Sequence, residues 1–269
     1  MYSGTTFRRA SGRIVGVHQK IDRVARRSLD QHIPKSLNFP GIRSILHFEG
    51  RNGPDGIKLK SPAKDELFHF INPIDPTDRQ LLVIIHGHLV NLSEAIKTKN
   101  DVRAAFEAAW LAHAVVDGLT PPHHYPPTEK VKKSLSKVDS ELLSNNRKNI
   151  LKEMKRNRQL IKKWKKWGTR GVLSHVMFEW GVASVIAPDK FVDAGPNVDD
   201  LDYLRQVGFE AIFMQAVARV DSMRMYDEFN QTGWTRALAV KTKDILIPEI
   251  IKTVALAWYQ AALMTSKVK

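Results

Sequence analysis

The sequence predicts an all-α, single-domain protein, on three observations. Apolar residues recur at spacings of three and four along most of the chain, strand-like alternation is scarce, and no Gly/Ser-rich linker or internal repeat divides it. With 269 residues and a hydrophobic content of 43%, the chain can bury one sizeable core. A single domain over 1–269 is the simplest organisation.

The elements are justified in order. Ile14–Leu29 places Ile14, Val17, Ile21 and Val24 on one helical face, with charge between them. Pro34–Pro76 is dotted with proline and glycine ("FPG", "RNGPDG", "INPIDPTD"), lacks a period and reads as a long ordered loop. "LLVIIHGHLV" (Leu81–Val90) fits a buried strand or a buried helix equally well. Asp101–Asp117 is rich in alanine and leucine, follows Asn100 as a cap, and is stopped by Pro121 and Pro122. Lys130–Trp167 reads as one or two long basic helices. Helices over Thr169–Val185, Asp199–Arg224 and Thr235–Ser266 follow, the last broken or kinked near Pro248.

Composition excludes some chemistry. There is no cysteine, so disulfides and thiolate metal sites are ruled out. No apolar run approaches the roughly 18 residues that span a bilayer. The stretch "MYSGTTFRRASGRIVGVHQK" has arginines but no apolar core of a secretory signal. A cytoplasmic or membrane-peripheral address is expected.

The net charge of +14 points to an anionic partner. Between Glu129 and Arg170, fifteen Lys/Arg stand against four Asp/Glu, a local net of +11. A basic helical insertion over about 127–169 therefore carries most of the excess. Within it Leu135, Val138, Leu142 and Leu143 recur at helical spacing, as an amphipathic hairpin requires. The run Lys162, Lys163, Trp164, Lys165, Lys166 and Trp167 suits an acidic membrane surface, where Trp buries and Lys meets headgroups. It equally suits single-stranded nucleic acid, by stacking and phosphate contact. It also fits a solvated charged face covering its own core.

The stretch "AHAVVDGLTPPHHY" carries the densest chemistry. His113 and Asp117 are four apart and share a helix face, so one metal ion could take both an imidazole nitrogen and a carboxylate oxygen. The prolines end the helix, which lets His123 fold back towards the same place. His175 and Glu179, in "LSHVMFEW", repeat the four-residue spacing. His69 sits between two phenylalanines before an Asn-Pro turn and, taken alone, reads as a core histidine. Glu66 and His69 form one E-x-x-H, but di-iron carboxylate proteins need two and no second occurs. His86 and His88 read as packing or hydrogen-bonding histidines.

The full order resembles the zinc-dependent phospholipase C family, which is related to the single-strand-specific fungal zinc nucleases. In that family a helix carries His-x3-Asp-x5-His with proline just before the last histidine, matched by His113, Asp117, Pro122 and His123. His69-Phe70 matches its "HF", Asp55 its aspartate fourteen residues earlier, His175 and Glu179 its His-x3-Glu, and His18 its early histidine. The resemblance implies a compact helical domain holding two or three Zn2+ ions. Asp55, His69, His113 and Asp117 would hold the first ion, and His123, His175 and Glu179 the second. His18 and a bridging Asp117 would contribute to a third.

Family members complete that third site with the amine of an N-terminal tryptophan, which this chain lacks, so the third site is expected to be empty, weak or completed differently. The implied activity is phosphodiester hydrolysis, with a metal-activated water attacking phosphorus and Asp55 orienting it or accepting its proton. The substrate would be anionic and phosphate-containing. Gly56 and Glu66 stand where the phospholipase branch has choline-binding aromatics, so phosphatidylcholine is not the expected substrate. A nuclease using the same metals and a non-catalytic metal-stabilised protein binding membrane or nucleic acid are the rival expectations.

Overall fold

The computed structural model describes residues 1, 16–58, 69–124 and 170–266. The basic insertion, with Lys162, Lys163, Trp164, Lys165, Lys166 and Trp167, lies outside the described residues. The described residues are mostly helical and include no strand. The helices are α1 (Val17–Leu29), α2 (Ile42–His47), α3 (Pro54–Lys58), α4 (Gln80–Lys97) and α5 (Asp101–Gly118). After the insertion come α6 (Arg170–Ile186), α7 (Val198–Val207), α8 (Phe209–Ser222), α9 (Met225–Thr232), α10 (Arg236–Lys241) and α11 (Ile247–Ser266).

The centre of the fold is α11. Its residues Ile250, Ile251, Val254, Ala255, Ala257 and Trp258 are all fully buried, because α1, α4, α5, α7 and α8 pack around it. A helix apolar on every side must be surrounded to be stable in water. Although no unbroken apolar run is that long, the stretch Arg236–Thr265 is on average long and apolar enough to cross a membrane, and 72% of its apolar window is already buried by neighbouring helices. The alanines of α5 (Ala104, Ala108, Ala109 and Ala112) let α11 approach closely, and the Trp258 indole N–H donates to the Ala108 carbonyl at 2.9 Å. The chain therefore holds its site-bearing helix, α5, directly on its core helix.

Local chemistry sets the helix ends. The Asn100 side chain accepts from Arg103 N–H at 3.0 Å and starts α5. Arg26 and Arg27 in the last turn of α1 complement its dipole. The run "LLVIIHGHLV" resolves as helix, and α4 pairs with α5 across a short turn in which Lys99 has φ 55°.

Two expectations need correction, and a third is met in a particular form. Pro34–Pro76 is not simply loop: α2, a 3-10 turn at Gly50–Asn52 and α3 fold inside it. Asp199–Arg224 is not one helix, because Gly208 adopts φ 79° and ψ 163°, which breaks the ladder between α7 and α8. The break near Pro248 takes the form of a π-helical segment, Thr242–Leu246, just ahead of it. Proline offers no N–H to the preceding turn, and the wider winding accommodates that loss.

Candidate metal centre

Six segments bring the chemistry together: α1, α3, the stretch around His69, α5, the Pro121–His124 turn and α6. His18 lies in the first turn of α1, beside the buried Val17 and Ile21. His113 and Asp117 are one turn apart on α5, and His175 and Glu179 are one turn apart on α6. The Pro121–His124 turn carries His123 back beneath the end of α5, with His123 N–H donating to the Thr120 carbonyl at 2.8 Å. Two further bonds pin the His69 segment to that turn: Ile71 N–H donates to the His123 carbonyl at 3.1 Å, and His123 Nδ1–H donates to the His69 carbonyl at 2.8 Å. Phe70 stacks on the His123 ring, with centroids 4.8 Å apart.

Asp117 is the hub. Its Oδ1 lies 3.4 Å from His18 Nε2, and its Oδ2 lies 3.2 Å from His113 Nε2, 3.4 Å from His69 Nδ1 and 4.0 Å from His123 Nδ1. Asp55 Oδ1 is 3.7 Å from His113 Nε2. Glu179 Oε1 lies 2.9 Å from His175 Nε2 and 3.4 Å from His123 Nε2. All eight residues singled out by sequence thus meet in one place. His18, His113 and Asp117 offer ligand atoms within 4.8 Å of one another, and so do His123, His175 and Glu179. The second trio equals the set that the resemblance assigns to one ion. The first trio draws His18 into the group of His113 and Asp117.

The arrangement is suited to cations. Both ring nitrogens of His18 and His113, Nδ1 of His69 and Oε1 of Glu179 are buried without a hydrogen bond among the described residues. Such orphaned groups cost about 1–3 kcal/mol each unless something binds them. Imidazole nitrogens and carboxylate oxygens are the donor set of Zn2+ and related divalent ions. Because His123 Nδ1 donates its proton to a carbonyl, its Nε2 lone pair faces Glu179 and His175, the tautomer a metal ligand needs. The residues present fit metal ions.

One positive group already sits there. The Met1 ammonium donates to Asp117 Oδ1 at 2.8 Å and lies 3.2 Å from Glu179 Oε1, fully buried. Burial works against its charge, but Asp117 and Glu179 outweigh it and raise the pKa from 8.0 to about 11. The same proximity holds Asp117 and Glu179 well below the ordinary carboxylate range despite burial. Burial lowers His69 from 6.5 to about 4. His113 goes the other way: burial lowers it, but Asp117, Asp55 and Glu49 together raise it well above its usual value.

Met1, Glu49 and Asp22 were not foreseen. Glu49 Oε2 approaches His113 Nδ1, and both carboxylates of Asp22 and Glu49 are buried without hydrogen bonds among the described residues. Asp22 follows His18 by four residues, a spacing that marks the same helix face and could have flagged it. Glu49 carried no such signal, because a tight turn delivers it. At Gly53 a Cβ would come within 2.8 Å of the Phe48 carbonyl, so only glycine lets α3 fold back against Glu49. Two of the remaining histidines have partners of their own, whereas His86 does not pack as expected. His124 donates Nε2–H to the Gly118 carbonyl at 2.9 Å and His88 pairs with Glu107, while His86 is exposed.

No family model, curated protein or solved structure matches this chain at a significant level.

Proposed function

We propose that this protein is a zinc-dependent phosphodiester hydrolase of the kind it resembles in sequence, the phospholipase C and zinc nuclease type. The observation that carries this is the convergence of His18, Asp55, His69, His113, Asp117, His123, His175 and Glu179 around one buried carboxylate, with several of their nitrogens unsatisfied. His18, His113 and Asp117 would hold one ion, His123, His175 and Glu179 another, and His69 stands beside Asp117 to complete the set. Bound divalent ions polarise a phosphoryl oxygen and make water a nucleophile at neutral pH.

The chain's own groups do the rest. Asp55 has the most exposed side chain of the eight, at 34%, and stands at the solvent edge of an otherwise buried cluster. It is the group placed to orient an entering water and take its proton. Phe70 shields His123 from solvent on one face. The Met1 amine stands beside Asp117, where the resembled family uses an N-terminal amine to complete its third site.

The test is metal content of the purified protein combined with hydrolysis of a small soluble phosphodiester, phospholipid vesicles and single-stranded DNA. Metal near two ions per chain with turnover is expected, and His113→Ala should remove both. The vesicle and DNA arms separate lipase from nuclease action, for which the basic insertion supplies the nucleic-acid argument. Full metal content without turnover on any of the three substrates would leave a metal-stabilised binding protein.

A further inference from the structure

A second feature lies away from the ligands. A pocket of about 350 Å³ opens between α1 and the C-terminal end of α6. Lys20, Arg23 and Arg27 line it from α1 at spacings of three and four, which puts all three on one helix face, and Lys190 joins from the turn after α6. The one acid in the lining, Asp189, is paired with Lys243 outside the pocket at 3.1 Å. Four cations therefore face one carboxylate, whose charge also attracts Lys20 and whose Oδ2 is buried without a hydrogen bond among the described residues.

The cations differ in what they already do. Lys20 donates from Nζ to the Ile186 and Ala187 carbonyls, which caps α6 and fixes one positive charge in the wall. The same Nζ lies 5.7 Å from the Phe191 ring centroid, and Phe191 is held at φ 51°, an uncommon conformation for a bulky residue. Arg23 and Arg27 are exposed and have no hydrogen-bond or ion-pair partner among the described residues. Two guanidinium groups without partners among the described residues, beside a lysine-anchored wall, suit the chemistry of a phosphate, which accepts several charge-assisted bonds at once. Ile186 gives the floor an apolar side. The volume is at the low end of small-ligand sites, enough for a phosphoryl group and a short organic body, and too small for a polymer.

We infer that this pocket binds the phosphate group of a small phosphorylated molecule, at a site distinct from the metal centre. Ile186 stands seven residues beyond Glu179 on α6, on the same face, so the pocket lies about 10 Å further along the helix. The inference is independent of the hydrolase proposal and survives if the metal ions are structural.

The test is calorimetric titration with inorganic phosphate at fixed ionic strength, sodium chloride serving as the charge control. Because phosphate also binds metals, the titration is run on wild type, on His113→Ala and on Arg23→Ala/Arg27→Ala. The pocket predicts that His113→Ala keeps a phosphate site, that the arginine pair weakens it at least tenfold, and that Arg23→Lys/Arg27→Lys restores part of the loss. Glycerol phosphate should compete with inorganic phosphate. Unchanged affinity in the double alanine variant overturns the inference, as does loss of all phosphate binding in His113→Ala or displacement by equimolar chloride. Both arginines are exposed, so a melting curve like that of wild type is expected and ties any loss to the pocket.

Discussion

Glu49 Oε2 lies 3.5 Å from Nδ1 of His113, while Nε2 of the same ring points at Asp117, 3.2 Å away. The carboxylate therefore stands on the Nδ1 side of a candidate ligand histidine, and its charge favours a proton on that ring. Glu49→Gln or Glu49→Ala should weaken metal binding by about 10- to 100-fold while the helical circular dichroism stays native. Glu49→Asp should recover part of the affinity. Competition with a chromogenic chelator measures it, and wild-type affinity in Glu49→Ala would remove Glu49 from the site.

Metal binding should release protons. His113 is held well above its usual pKa, and the Met1 ammonium at about 11, so both are charged in the metal-free protein at neutral pH. His69, lowered to about 4, is already neutral there. Ions must displace the His113 proton, so affinity falls as pH falls. Zinc titrations in buffers of different ionisation enthalpy should show net proton release at pH 7, and zero release would contradict the role given to His113.

Asp22 should make the metal-free protein pH-sensitive. Burial first, and the Glu49 charge second, raise its pKa well above 3.8. The folded state then binds this proton more tightly than the unfolded state. Stability is full below the unfolded pKa and declines as pH rises towards the folded one. Asp22→Asn should flatten that decline and be more stable than wild type at neutral pH, by chemical denaturation with chelator present. An unaltered slope would assign the effect to another group.

Gly208 should be replaceable only at a cost in stability. Its φ of 79° with ψ of 163° lies where side-chain-bearing residues are strained. Gly208→Ala should lower the unfolding free energy by about 1–3 kcal/mol. Metal content should remain normal, since the α7–α8 corner carries none of the eight candidate ligands.

Much of this was legible in the sequence because the key residues obey helical spacing. His113 with Asp117 and His175 with Glu179 each announce a shared face, and the structure places both pairs where that spacing puts them. The α5 and α6 boundaries fell within a residue or two of expectation for the same reason. What stayed hidden depends on tertiary turns. Glu49 reaches His113 through a glycine-dependent reversal, and Met1 reaches Asp117 across 116 positions of sequence. The Gly208 break was missed because the apolar period runs on through α7 and α8 while a single backbone conformation interrupts it.

The hub at Asp117 ties together groups from Met1 to Glu179, so in an unfolded chain they share no common space. An ion that binds only the folded form adds RT ln(1 + [ion]/Kd) to stability, about 4 kcal/mol when the ion is a thousandfold above Kd. Scarcity of such an ion would then thin the population of intact molecules. The folded fraction would act as a gauge of the metal supply.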